Sequence, residues 1–152
     1  MKNVLTRFTA VAALLAAPAL TAAPVPATAA DAKNLVTIVT AAEPQTQLMA
    51  MVLTMQSLQQ GAKAHILLCG PAADIALKDA PASATAPQKP KGMSPKGLMM
   101  KIMEGGTQVE VCAIYLPNKG VGAEALIDGV KAADPAEMAK RLLADDTRLL
   151  SF

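Results

Sequence analysis

The amino-acid sequence predicts one α/β domain with a mainly parallel sheet of about five strands and helices on both of its faces. Short apolar, β-branched runs alternate with segments of helical periodicity from about residue 34 to the end, the order that builds parallel βαβ units. The strand-like runs are continuously apolar, as strands covered on both faces are. About 120 residues remain after the first thirty, enough for one small core.

The elements follow in order. Leu35–Thr40 (LVTIVT) is a β-branched run bounded by polar residues and reads as a buried strand. Pro44 suits the first turn of a helix, Leu48, Met51, Val52, Met55 and Leu58 recur at helical spacing, and Gly61 supplies a stop. Ala64–Cys69 is a second strand, ended by Gly70-Pro71. The segment 80–91 (APASATAPQKPK) lacks any period and reads as a mobile surface loop. Ser94-Pro95 gives an N-cap and first-turn proline to a helix carrying Leu98, Met99, Ile102 and Met103, which ends at Gly105-Gly106. Val109–Ile114 is a third strand, Pro117–Gly122 a turn, Glu124–Ile127 a short helix and Val130–Ala132 a short fourth strand. Asp134-Pro135-Ala136-Glu137 has the form of a capping box before a helix with Met138, Leu142 and Leu143, and Arg148–Phe152 is a terminal strand. The methionines on these helix faces read as core filler, with any surplus available for a subunit interface.

The first thirty residues are a separate object. Lys2 and Arg7 precede an alanine- and leucine-rich stretch without charge, and small residues close it at Ala27–Ala30. This is the pattern of a signal peptide cleaved after Ala29 or Ala30, with residues 31–152 as the mature domain. Pro18, Pro24 and Pro26 interrupt the run and argue against a retained membrane anchor. The expected location is the periplasm or an equivalent exported space.

Composition excludes several function classes. The net charge of +2 belongs to Lys2 and Arg7, so residues 31–152 are neutral and lack a basic footprint for nucleic acid. Phe8, Tyr115 and Phe152 are the only aromatic residues, too few for base stacking. Two cysteines and one histidine do not complete a cysteine/histidine zinc cluster, so no metal site is expected. The chain has no phosphate-loop, dinucleotide-binding or nucleophile-elbow pattern, and no cofactor is expected.

What remains lies beyond the carboxyl ends of the strands, where open α/β sheets gather function. Cys112 comes late in an apolar strand, ahead of a glycine-containing loop with Lys119 and Gly120. Cationic Lys119 and the loop amides would favour its thiolate. A strand cysteine also reads as a small buried hydrophobe. Cys69 ends another strand and reads as a resolving cysteine, a sulfur-handling partner or half of a Cys69–Cys112 disulfide, with two unlinked thiols the favoured reading. His65 reads as a polar strand residue, and Asp74 and Glu43 as rim residues.

In order, LVTIVT, AHILLCGPAADIAL, GLMMKIMEGGTQVEVCAIYLPNKG and the closing TRLLSF resemble the DsrE/DsrF-like family of small sulfur-relay proteins over about residues 34–152. The resemblance implies a three-layer α/β/α sandwich and assembly as a trimer or hexamer. It also implies that Cys112, which matches the family's persulfide-carrying cysteine, is the reactive residue. The expected partners are then a sulfur donor and an acceptor, either proteins or small sulfur compounds. The family's relay members are cytoplasmic, whereas this chain carries an export signal. The competing expectations are a non-catalytic oligomeric binding or scaffolding protein of the same fold, and a redox protein using Cys69 and Cys112 as a pair.

Overall fold

The computed structural model describes residues 34–152; the segment 1–30, expected to be a signal peptide, lies outside the described residues. Five strands form one all-parallel sheet: β1 (Asn34–Val39), β2 (Lys63–Leu68), β3 (Gln108–Val111), β4 (Lys131–Ala132) and β5 (Thr147–Ser151), in the order β4-β3-β2-β1-β5. With helices on both faces, this is the expected three-layer α/β/α architecture.

The helices begin where their capping residues dictate. Helix α1 (Pro44–Gln59) starts behind Glu43, whose carboxylate accepts from the N–H groups of Gln45 and Thr46 at 2.8 and 2.6 Å. These bonds satisfy two of the helix's orphan donors and hold the Glu43 carboxyl below its ordinary pKa. Helix α3 (Pro95–Glu104) starts behind Ser94, whose Oγ accepts from Gly97 N–H at 3.0 Å. Helix α5 (Pro135–Leu142) starts behind Asp134, whose carboxylate accepts from Ala136 and Glu137.

The two faces of the sheet are unequal. One packs against α1 and α3, where Ala50, Met51, Met99 and Ile102 bury against Val39, Ile66, Leu68, Val109 and Val111. The other carries the smaller cluster of Val36, Leu67, Ala133 and Met138, with Ile38, Cys69, Cys112 and Leu142 packed against it. Met51 and Met99 are core filler as expected, whereas Met49 and Met100 stand about half exposed.

Several local expectations are corrected. β3 ends at Val111, because the chain turns at once into a short helix, α4 (Tyr115–Lys119). The first residues of the turn expected at Pro117–Gly122 are instead the end of that helix and its Gly120 cap. Pro117 lies within its first turn, where a missing N–H costs nothing, and Gly120 closes it in the left-handed conformation at φ 74°. The aperiodic segment 80–91 contains a helical turn, α2 (Ala82–Thr85), anchored by fully buried Ala84, and a backbone bridge from Gln88 to Met93. A 3₁₀ segment, Gly70–Ala76, went unrecognised: its apolar residues bury against the core but carry no helical period. The short helix expected at 124–127 is a 3₁₀ turn, Ala123–Ala125.

Candidate functional site

β2 and β3 run side by side with Leu68 opposite Val111. Their next residues are Cys69 and Cys112, which the register therefore sets against each other. Their Cα atoms lie 5.0 Å apart and the two are joined as a disulfide. This corrects the preference for unlinked thiols, because sequence separation conceals what strand register decides. Both backbones are held by the sheet: Cys69 N–H donates to Val39 C=O at 2.9 Å, and Cys112 N–H to Leu68 C=O at 2.8 Å.

The pair opens into a cleft of about 460 Å³ at the carboxyl edge of the sheet, lined also by Gly70, Asp74, Tyr115, Asn118 and Lys119. It lies between β2 and β3, not between β1 and β5 where the winding reverses. Asp74 reaches the cleft from the 3₁₀ segment and meets two residues of α4. Tyr115 Oη donates to Asp74 Oδ1 at 2.6 Å, and Lys119 Nζ donates to Oδ1 and Oδ2 at 2.8 and 2.9 Å. Burial, reinforced by the hydrogen bond to the Asp74 carboxylate, pushes the Tyr115 hydroxyl far above its ordinary pKa and keeps it protonated. Lys119 is thus in the predicted place, but its ammonium is held by Asp74. Gly120 closes α4, its N–H donating to Leu116 C=O at 2.9 Å. Ile114 stands 71% exposed at the cleft mouth.

Beneath the disulfide, on the same face of β2 and β3, lies a second polar group. His65 is 3% exposed and its Nε2 pairs with Glu110 Oε2 at 2.9 Å. Lys131 Nζ approaches Glu110 Oε1 at 3.5 Å, and the buried His65 Nδ1 meets no hydrogen-bond partner at bonding distance among the described residues. Burial first, then the charge of Arg141, hold His65 below its ordinary pKa against the opposing pull of Glu110. His65 is therefore the strand residue expected, in a buried pair rather than at the cleft. Glu43 caps α1 and takes no part.

Sequence reading missed Tyr115 and Asn118 and undervalued Asp74. Tyr115 and Lys119 are four residues apart, a spacing that puts both on one face once a helix is recognised there. The Pro-Asn-Lys-Gly run disguised that helix as a turn.

Solved structures share this architecture. The ychN protein from E. coli superposes with a TM-score of 0.61 at 19% identity over 79% of this chain and 98% of its own. The protein of unknown function MTH1491 from Methanobacterium thermoautotrophicum superposes at 0.58 and 10% identity, over 78% of this chain and 98% of its own. No protein-family model and no curated protein matches the sequence.

Proposed function

We propose that this chain is an exported, sulfur-relay-like member of the DsrE/DsrF-like family. With the pair reduced, Cys112 accepts sulfane sulfur as a persulfide and passes it to a partner thiol. The observation that carries this reading is the position of Cys112. It sits at the carboxyl end of β3, half-buried, in an open cleft that it shares with Cys69 and the Lys119 ammonium. The attacking species is the Cys112 thiolate.

The exchange balances without a cofactor. The Cys112 thiolate attacks the outer sulfur of a donor persulfide, the donor's S–S bond breaks, and the donor thiolate leaves. An acceptor thiolate then attacks the terminal sulfur on Cys112 and regenerates the Cys112 thiolate. The disulfide seen here is the oxidised form of the site, opened by thiol–disulfide exchange with a dithiol reductant. Donor and acceptor are thiol-bearing proteins or small sulfur compounds.

The test uses residues 31–152 carrying Cys69→Ser, so that Cys112 has no neighbour to react with. After exposure to glutathione persulfide and removal of the donor, intact mass is expected to rise by one sulfur atom. The Cys69→Ser/Cys112→Ser protein is expected to gain none. No gain on the single variant, or equal gain on both, overturns the reading.

A further inference from the structure

Any persulfide formed on Cys112 forms beside Cys69. Their Cα separation of 5.0 Å is set by two neighbouring strands in register, and both backbones are tied into the sheet ladder. That separation lies inside the range in which two cysteines bond without backbone movement. The disulfide demonstrates that the sulfur of Cys69 reaches the sulfur of Cys112 in this fold. An outside acceptor must diffuse into the cleft and orient, whereas Cys69 is already oriented, an advantage intramolecular thiols hold in exchange reactions. The disulfide is also not a sealed structural cross-link. It lines an open cleft whose other groups include a lysine and a protonated tyrosine, with exposed Ile114 at its mouth.

We propose that Cys69 is a resolving thiol and that the site reduces sulfane sulfur to sulfide, leaving the Cys69–Cys112 disulfide as its product. The inference rests on the reading that Cys112 accepts sulfur. The Cys69 thiolate attacks Sγ of the Cys112 persulfide. A new S–S bond forms between the two cysteines, the bond from Cys112 to the outer sulfur breaks, and that sulfur departs with its proton as hydrosulfide. The outer sulfur gains two electrons, and the two cysteine thiols lose them. A dithiol reductant then restores both cysteines and becomes a disulfide itself. The net reaction converts a donor persulfide and a dithiol into the donor thiol, hydrogen sulfide and an oxidised dithiol.

A single-turnover experiment separates this step from the one before it. Wild type, Cys69→Ser, Cys69→Ala and Cys112→Ser are fully reduced, freed of reductant under anaerobic conditions, and given glutathione persulfide. Sulfide is measured against a donor-only blank, free thiols are counted by alkylation, and intact mass is read. Wild type is expected to release about one sulfide per chain, to lose both thiols and to retain no extra sulfur. Cys69→Ser and Cys69→Ala are expected to keep the extra sulfur and release no sulfide above the blank, and Cys112→Ser to do neither. Wild type that keeps the extra sulfur with a free Cys69 thiol overturns this inference and leaves the relay reading standing. Failure of both Cys69 variants to gain sulfur overturns the relay reading itself.

Discussion

The two faces of the sheet are built from the same strands, often from adjacent residues, yet they do different work. On the α1/α3 face, Val39, Ile66, Leu68, Val109 and Val111 meet two helices in an apolar layer, with a buried Thr37–Thr54 hydroxyl pair among them. On the α5 face, alternate residues of the same strands present His65, Cys69, Glu110 and Cys112 under one eight-residue helix. A parallel sheet turns successive side chains to opposite faces. A single strand such as β2 therefore supplies core through Ile66 and Leu68, and polar or sulfur groups through His65 and Cys69. The thickly covered face fixes the backbone, and the thinly covered face carries the buried His65–Glu110 pair and the disulfide that lines the open cleft.

The largest effect expected from breaking this division is on the thin face. Its disulfide closes a span of 43 residues, and a cross-link of that length is worth about 2–4 kcal/mol through restriction of the unfolded chain. Reduction is expected to lower the unfolding free energy of residues 31–152 by that amount, read as a fall in the urea midpoint at unchanged slope. The Cys69→Ser/Cys112→Ser protein should match reduced wild type and ignore reductant. An unchanged midpoint on reduction would mean that packing alone holds β2 to β3.

The thick face sharpens the comparison with a smaller effect. Thr54 Oγ1 donates to Ala50 C=O at 2.8 Å, so the 2.7 Å contact between the two hydroxyls has Thr37 as its donor. Both residues are fully buried. Thr54→Val strands the Thr37 hydroxyl in an apolar layer and is expected to cost about 1–3 kcal/mol. Thr37→Val leaves Thr54 bonded to Ala50 and is expected to cost about 0.5–1.5 kcal/mol. Chemical denaturation of both single variants and the double variant checks the asymmetry. Equal losses would show that the hydroxyl of Thr37 finds another partner.

How much of this was legible in the sequence follows from the range of the forces involved. The strands and the three long helices were legible, because apolar runs, the first-turn proline at Pro44 and the caps at Ser94 and Asp134 act locally. Cys112 and Lys119 were visible as neighbours of a strand end. The Cys69–Cys112 bond was not, because it depends on β2–β3 register, which links residues 43 apart in sequence. The Asp74 contacts with Tyr115 and Lys119 were hidden for a similar reason. They join a 3₁₀ segment without periodicity to a helix masked by proline and glycine. His65 was correctly placed on a strand, but its partner Glu110 lies on the neighbouring one.

The His65 pair offers the mildest way to probe the thin face. Folding lowers the His65 pKa from about 6.5, chiefly through burial and then through Arg141 on α5, while Glu110 on β3 opposes the shift and Lys131 on β4 flanks Glu110. A lowered pKa means that the unfolded chain binds a proton that the folded chain refuses. Stability is therefore full above pH 6.5 and falls as the pH drops below it, until the lowered folded value is reached. One proton limits the slope to about 1.4 kcal/mol per pH unit. Urea midpoints measured between pH 8 and pH 5 (a range chosen to bracket the free-histidine value) should fall for wild type and flatten for His65→Gln. If wild type and His65→Gln lose stability in parallel, the histidine has the same pKa folded and unfolded; if wild type gains stability relative to His65→Gln as the pH falls, Glu110 rather than burial governs it.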